Sequence, residues 1–300
     1  MAARPGYAPS HRLVWLFSAG ASQETHDAVV ASGAQVLIQD LEDFTPPPLR
    51  PQARAMAPAL FRAARAAGTM VCVRINPLDQ DGVTDLEAVM PHRPDVISYP
   101  KAERALDMAR LSEQITRLEQ QHGIAPGSTE ILPVCETALG VVEVRALAAA
   151  TPRVRAALLG TEDLATDLQA ERGPDGIELD HARRRFLLEC RAARIEPVDA
   201  PYTFSDVQGA VAETRYSRRL GYQTKSLVNP AMVKAVQAAL APSAVDVELA
   251  QETVQLFEAA RARGEDRALV RGLWVEVPTY LNARRLLDRA RGLQSQETPR

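Results

Sequence analysis

The chain alternates short apolar runs with longer amphipathic stretches, and this alternation limits the folds it can adopt. Short apolar runs between helical stretches are typical of fully buried parallel strands. Eight such strand–helix units in about 240 residues match the count and length of a (β/α)8 barrel. We therefore predict an α/β fold, a (β/α)8 TIM barrel, with strands at 13–17, 36–39, 70–73, 96–99, 131–134, 156–159, 197–200 and 225–228.

We assign the barrel, as the catalytic domain, to residues 1–240, and a C-terminal helical extension to residues 241–300. Two helices are predicted in the extension, near 244–263 and 282–291, with the apolar segment 269–277 between them. A finished barrel does not need this segment for its own core. Extra apolar segments usually cover a rim or a neighbouring chain, so we expect a lid or an oligomer contact.

Composition excludes several classes of function. The chain has 300 residues, 46% hydrophobic and 24% charged, and its net charge of -3 gives no reason to expect nucleic acid or a membrane surface as partner. No apolar run approaches the roughly 18 residues of a membrane span. The first ten residues lack the apolar core of a secretory signal. Three scattered cysteines do not form a disulfide framework, so we expect a cytoplasmic protein.

Two of the apolar runs stop at an acid, Glu136 in one case and the Glu162-Asp163 pair in the other. The carboxyl ends of barrel strands share one face, so Glu136 and Asp163 could meet at one metal ion. Two carboxylates with further positions open to water suit Mg²⁺, with Mn²⁺ possible. None of the five histidines follows a predicted strand, which argues against zinc. For any single acid here, a helix cap or a solvated charge is an equally good interpretation.

Other polar residues follow the remaining runs at the same predicted rim. Lys101 could be a Schiff-base lysine or one member of a structural ion pair. Asp43 and Glu103 have the positions of helix caps or ion-pair partners, and we assign them no chemistry. The rim set also includes Asp40, Glu42, Arg74, Asn76, Asp199, Tyr202 and Asn229.

Five segments resemble, in order along the chain, the motifs of the citrate lyase beta-subunit-like proteins of the HpcH/HpaI aldolase superfamily. Each motif alone is weakly specific, but five in series, within a match from about residue 12 to 230, are strong. They are Gln39-Asp-Leu-Glu-Asp43, Val73-Arg-Ile-Asn-Pro77, Tyr99-Pro-Lys-Ala-Glu103, Pro133-Val-Cys-Glu-Thr-Ala-Leu-Gly140 and Leu159-Gly-Thr-Glu-Asp-Leu-Ala-Thr-Asp-Leu168.

The resemblance implies a Mg²⁺-dependent carbon–carbon lyase of the aldolase type, acting through a metal-stabilised enolate. The implied substrate is a small hydroxy-dicarboxylate or its coenzyme A thioester, such as a citryl-, malyl- or citramalyl-CoA. Glu136 and Asp163 would ligate the metal, and Arg74 and Asn76 would bind the substrate. Arg74, Asp40 and Glu276 are the catalytic candidates. The resemblance also implies a homotrimer or homohexamer, in which the extension brings Glu276 to an active site.

Three departures from the family pattern put the acyl carrier in doubt. The usual Phe-Val-Pro-Gly is Phe17-Ser-Ala-Gly20, and the usual His-Pro is Asn229-Pro230. Glu276 stands where relatives that act on coenzyme A thioesters have an aspartate. Two alternatives therefore stay open. One is a free-acid aldolase or oxaloacetate decarboxylase on the same site, and the other is a non-catalytic barrel that binds a small acid.

Overall fold

The computed structural model describes residues 8–297, with side chains as far as residue 294. Residues 1–7, which belong to the N-terminal stretch considered above, lie outside this range. The chain divides into two compact units, one ending at Ala238 and the other beginning at Ala239.

Eight parallel strands form a closed barrel in the first unit, so the predicted TIM barrel is confirmed. Each strand pairs with its neighbours in sequence, and β1 pairs with β8 to close the sheet. The strands are β1 Val14–Ala19, β2 Val36–Asp40, β3 Met70–Arg74, β4 Val96–Tyr99, β5 Glu130–Cys135, β6 Ala156–Leu159, β7 Glu196–Tyr202 and β8 Thr224–Leu227.

Helices follow the barrel strands, and the second unit adds a short hairpin and further helices. The helices are α1 Gln23–Ala31, α2 Arg50–Ala66, α3 Gly82–Val89, α4 Ala105–Gln121, α5 Ala138–Val142, α6 Val144–Ala149, α7 Glu162–Asp167, α8 Ile177–Ala192, α9 Val207–Leu220, α10 Val233–Leu240, α11 Ala244–Ala262 and α12 Val277–Glu297. None of the helices in the described part of the chain combines the length and the apolarity that a membrane span requires.

The barrel interior is filled by alternate residues of the strands, because successive side chains of a strand point to opposite faces. A buried cluster contains Trp15, Phe17, Val36, Ile38, Met70, Cys72, Val96, Leu132, Val134, Ala156, Leu158 and Val198. The residues two positions after Ile38, Cys72, Val134 and Leu158 lie at the carboxyl ends of β2, β3, β5 and β6. They are Asp40, Arg74, Glu136 and Gly160. The same alternation that builds the core therefore ends in polar residues or glycine on four strands.

Strand β7 has a weak sequence signal, yet it spans seven residues and all of them are buried. It carries Pro197 and Pro201, and its pairing with β8 shifts register between Asp199 and Tyr202. Lys225 of β8 secures it, because Lys225 Nζ donates to Asp199 Oδ2 at 2.8 Å, to Ala200 O at 2.6 Å and to Glu213 Oε1 at 2.7 Å. Charged groups behind the barrel wall thus hold a strand that apolar residues alone do not specify.

In the second unit, α11, a two-stranded hairpin and α12 build a small core. The hairpin consists of β9 Ala268–Val270 and β10 Leu273–Val275, so the predicted apolar segment forms an antiparallel pair. Phe257 stacks on Tyr280 with ring centroids 4.7 Å apart. On the hairpin, Leu273 and Trp274 stay exposed by 74% and 59%. This unit therefore carries apolar surface that its own core does not use.

Replacing Lys225 by Met should destabilise the barrel by about 3 kcal/mol, because removing one partner of a buried pair leaves an uncompensated charge. Lys225 and Asp199 are both fully buried, so water cannot replace the lost contacts. The free energy of unfolding in urea would measure the effect. Lys234→Met, the same substitution at an exposed lysine of α10, is the control and should change stability by less than about 0.5 kcal/mol. A loss below about 1 kcal/mol for Lys225→Met would contradict the anchoring role.

Candidate active site

Three of the predicted site residues line one cavity at the carboxyl end of the barrel. Arg74 is the last residue of β3, Glu136 is the first residue after β5, and Asp163 lies in the first turn of α7 after β6. The cavity has a volume of about 150 Å³. Its wall also includes Phe17, Asp43, Phe44, Val134, Leu158, Gly160, Thr161, Glu162, Pro201, Thr203 and Val228.

Arg74 is fixed by a forked contact with Asp40. Its Nε donates to Asp40 Oδ1 at 2.9 Å and its Nη2 to Asp40 Oδ2 at 2.6 Å, while Nη1 lies 3.1 Å from Glu42 Oε2. The guanidinium carbon also lies 5.2 Å from the ring centre of Phe17 and 5.5 Å from that of Phe44. Burial lowers the pKa of Arg74, but the charges of Asp40 and Glu42 outweigh it and raise the pKa above its ordinary value. Arg74 is therefore a rigid, permanent cation.

Asp40 lies behind Arg74 and is absent from the cavity wall. Both carboxylate oxygens accept from Arg74 and from the backbone, Oδ1 from Glu42 N at 2.9 Å and Oδ2 from Phe44 N at 3.0 Å. The side chain is completely buried. Four accepted hydrogen bonds leave no lone pair for a substrate. Asp40 is thus placed to hold Arg74, and its expected catalytic role stays a prediction.

Glu136 presents a carboxylate that is almost fully buried. Its Oε1 accepts from the backbone N of Lys101 at 2.8 Å, and its Oε2 receives no hydrogen bond from any described residue. Burial raises the pKa of Glu136 to about 7, although Arg74 and the Lys101 N–H act in the opposite direction. Gly160 makes room for this side chain, because a Cβ there would lie 2.5 Å from Glu136 Cβ. A buried acid with a free oxygen is suited to bind a cation.

Asp163 is more open than Glu136, with a side chain 40% exposed. The ammonium of Lys101 lies 3.9 Å from Asp163 Oδ2, 3.2 Å from Glu42 Oε1 and 3.7 Å from Asp43 Oδ2. Burial lowers the pKa of Lys101, but the adjoining carboxylates, Glu42 first, outweigh it and raise the pKa. A Schiff-base lysine needs a lowered pKa. Of the two interpretations of Lys101, the structure therefore favours the ion pair.

Several other rim residues lie away from the cavity. Asn76 is completely buried, and its Nδ2 donates to Leu41 O and to Asp85 Oδ2, both at 2.8 Å. Asn76 thus links the segment after β2 to the segment after β3. These contacts do not support its expected contact with a substrate, which stays a prediction. Asp199 bonds Lys225 and Arg183 behind the barrel wall. Asn229 accepts from Ala231 N at 3.0 Å and caps the short helical turn that follows it.

Glu276 immediately precedes α12 in the second unit. Its side chain is exposed, and its carbonyl oxygen accepts from Tyr280 N at 3.0 Å. These contacts describe the start of a helix and do not test a catalytic role, which stays a prediction.

The donor atoms at the cavity suit a hard cation. The wall contains carboxylate oxygens of Asp43, Glu136, Glu162 and Asp163 and no histidine or cysteine. Among the side chains that the structure describes, residues 8–294, no group of three or more His, Cys, Asp and Glu is placed to hold a metal ion. A cation bound to Glu136 and Asp163 would therefore need further oxygen ligands from water or from a substrate.

Comparison with known proteins assigns the chain to a family. The family model described as HpcH/HpaI aldolase/citrate lyase matches residues 13–230, which is the barrel. The citrate lyase subunit beta of Escherichia coli K12 is 33% identical over 281 residues, covering 93% of both chains. This chain belongs to the HpcH/HpaI aldolase/citrate lyase family. A (3S)-malyl-CoA thioesterase of Cereibacter sphaeroides is 29% identical over 280 residues, covering 93% of this chain and 94% of the relative.

Solved structures of family relatives contain magnesium and coenzyme A. The protein CitE of Mycobacterium tuberculosis, in complex with magnesium, acetoacetate and coenzyme A, is similar with a TM-score of 0.73 and 27% identity, covering 95% of this chain and 99% of that one. CitE with magnesium and pyruvate has a TM-score of 0.63 and 28% identity, covering 81% and 94%. A citrate lyase of Burkholderia xenovorans shares the fold, with a TM-score of 0.82 at 20% identity, covering 98% and 96%.

The forked contact predicts that Lys cannot replace Arg74 in this member of the family. Arg74→Lys keeps the charge but loses the two parallel hydrogen bonds to Asp40, so kcat/KM should fall by roughly 100-fold. Arg74→Ala should lose more. Steady-state kinetics on both variants separates a fork from a point charge, since a point charge would leave Arg74→Lys nearly as active as the parent.

Proposed function

We propose that this protein is a Mg²⁺-dependent carbon–carbon lyase that cleaves or forms a bond next to a carbonyl in a small hydroxy-dicarboxylate or its coenzyme A thioester. The observation that carries the proposal is that Arg74, Glu136 and Asp163 line a single cavity at the carboxyl end of the barrel. One fixed cation and two carboxylates are thereby brought to one small volume. Citrate lyase subunit beta among the relatives supports the reaction class.

Glu136 and Asp163 are the residues that would hold the magnesium. Glu136 offers Oε2, which is free of hydrogen bonds from described residues, and Asp163 is partly open to water. When bound, Mg²⁺ supplies positive charge beside the carbonyl oxygen on which negative charge develops as the bond breaks. Gly160 is required for this arrangement, since any side chain there would displace Glu136.

Arg74 would bind a carboxylate of the substrate. Asp40 and Glu42 hold the guanidinium from one side, and the remaining N–H groups of Nη1 and Nη2 are available to an anion. Because Asp40 fixes the guanidinium before the substrate arrives, the guanidinium loses little orientational entropy on binding. Phe17 and Phe44 flank the same guanidinium, and both line the cavity. The two rings would exclude water from the substrate carboxylate bound at Arg74.

The size of the cavity favours a small acid in the closed part of the site. About 150 Å³ is well below the roughly 300–1,000 Å³ of pockets that enclose drug-sized ligands. A coenzyme A group would therefore extend beyond the cavity, with only the acyl portion next to Arg74. A free acid fits the same space, so the free-acid aldolase and the oxaloacetate decarboxylase remain the alternatives. The pairing of a fixed arginine with two metal-binding carboxylates argues against the non-catalytic barrel.

A product assay tests the proposal. Malyl-, citramalyl- and citryl-CoA, their free acids and oxaloacetate would be offered with Mg²⁺ or with EDTA, and keto acid, acyl-CoA, free CoA and CO₂ would be measured. From a thioester, a lyase releases a keto acid together with an acyl-CoA and needs the metal. From a free acid, an aldolase releases a keto acid and a carboxylic acid, and a decarboxylase releases CO₂ from oxaloacetate. Release of free CoA and the intact hydroxy acid would instead indicate a thioesterase, as in one group of relatives. Binding of these acids without turnover of any would favour the non-catalytic barrel.

Glu136→Gln and Asp163→Asn should each abolish Mg²⁺-dependent turnover, because each removes a charged ligand from a site with few others. Calorimetric titration with Mg²⁺ should show at least a tenfold weaker Kd for either variant, in line with one lost carboxylate. Glu103→Gln is the matched control, since Glu103 follows β4 but does not line the cavity. Near-normal turnover of either ligand variant at low Mg²⁺ would contradict the metal assignment.

On the family resemblance, we further propose a homotrimer or homohexamer in which the extension reaches a neighbouring subunit's active site. The exposed Leu273 and Trp274 of the hairpin support a role in covering another surface. Mixing Glu276→Ala chains with Arg74→Ala chains should restore part of the activity if Glu276 acts across subunits. If both single variants are inactive and well-mixed oligomers stay inactive, the extension serves its own subunit or does no chemistry.

A further inference from the structure

Lys101 contacts both of the proposed metal ligands, and it does so with two different groups. Its backbone N donates to Glu136 Oε1 at 2.8 Å, while its ammonium lies 3.9 Å from Asp163 Oδ2. The residue has a φ of +46°, a left-handed conformation that is uncommon for a residue with a side chain. Non-glycine residues persist in this conformation only when the surrounding contacts require it.

Three carboxylates surround the ammonium of Lys101, as they could surround a bound metal cation. Glu42 Oε1, Asp43 Oδ2 and Asp163 Oδ2 lie 3.2, 3.7 and 3.9 Å from Nζ. The chain uses lysine rarely, with three lysines among 35 Lys and Arg residues, and one of the three is at this position. A lysine ammonium is a compact point charge, whereas arginine presents a wide planar fork. Of the two, the ammonium is closer in shape to a metal ion.

We propose that the ammonium of Lys101 is the internal counter-cation of the metal-free site, and that Mg²⁺ displaces it from Asp163. The proposal rests on the metal site of Glu136 and Asp163 proposed above. Two cations cannot both lie against Asp163 without repelling each other, so Lys101 lowers the affinity for the metal while it stabilises the metal-free carboxylates. After displacement, Glu42 and Asp43 still retain the ammonium, and the Lys101 N–H still holds Glu136. Lys101 is in this sense a positioning residue that sets the metal affinity.

The first measurement is the affinity for Mg²⁺ alone, by isothermal titration calorimetry. Lys101→Met removes the competing charge and keeps the length of the side chain, so Kd should fall on the order of tenfold, with a smaller difference at high salt. Lys234→Met makes the same change at an exposed lysine of α10 and should bind Mg²⁺ like the parent. Without metal, Lys101→Met should have the lower Tm, because Glu42, Asp43 and Asp163 then repel one another, and saturating Mg²⁺ should recover the loss.

The second measurement uses the parent protein, and it remains decisive if Lys101→Met fails to fold. Acetylation of lysines by an amine-reactive ester, followed by mass spectrometry, reports each of the three lysines separately. Saturating Mg²⁺ should raise the labelling rate of Lys101 several-fold, because the displaced ammonium is no longer shielded by Asp163. Lys234 is the exposed internal reference, and its rate should not change. Lys225 is fully buried and should stay unlabelled in the folded protein.

The outcomes separate this inference from the proposed function. If the parent binds Mg²⁺ but Lys101→Met binds it equally or more weakly, Lys101 is not a competitor, and the metal site stands. An unchanged labelling rate of Lys101 at saturating Mg²⁺ leads to the same conclusion. If the parent shows no Mg²⁺ binding while its fold is intact, the metal site itself is wrong, and the role of Lys101 is lost with it.

Discussion

Closure of the parallel sheet is the constraint on which the rest of the barrel depends. In a closed sheet with sequential parallel order, all eight strands end at one rim, and the alternation of side chains leaves no choice about which residues face inward. Ile38, Cys72 and Val134 fill the interior one layer below the rim. The next inward positions include Asp40, Arg74 and Glu136, so the polar site is the last layer of the same packing pattern.

This polar layer is electrostatically unbalanced. Glu42 and Glu136 are both buried, and burial raises the pKa of each. Arg74 neutralises Asp40 directly, and Lys101 is shared among Glu42, Asp43 and Asp163. The remaining negative charge lies on the wall of a small cavity, where a hard cation and an anionic substrate can be bound together. In the proposed lyase, binding of either one would make the site more favourable for the other, because their charges are opposite.

Relatives of this chain carry different names, citrate lyase subunit beta and (3S)-malyl-CoA thioesterase among them. At a thioester, hydrolysis requires that water reach the carbonyl carbon, whereas cleavage of a carbon–carbon bond does not. In this chain Arg74 lies between carboxylates and aromatic rings, with Asp40 and Glu42 on one side of the guanidinium and the ring centres of Phe17 and Phe44 at 5.2 and 5.5 Å from it. The two rings are the groups that would keep water from a substrate bound at Arg74, as the proposed lyase requires.

The sequence by itself determined the barrel and the position of its rim. Apolar runs of strand length, separated by helical stretches, are local signals, and a residue directly after such a run must lie at the strand end. Glu136 and Asp163 could therefore be placed at the rim without coordinates. Strand β7 was the weak point, because its proline-containing segment is stabilised by Lys225, which is distant in sequence.

Only the tertiary structure decided what each rim residue touches. Asp40 ends β2 and Asn76 follows β3, much as Glu136 follows β5. The carboxylate of Asp40 is however hydrogen-bonded to Arg74, and the amide of Asn76 to Asp85. Gly160 and the Lys101 N–H shape the setting of Glu136 through contacts between different strand ends. Such roles depend on distances between segments dozens of residues apart. Strand periodicity fixes which residues reach the rim, whereas hydrogen-bond partners and burial there are set only when the barrel closes.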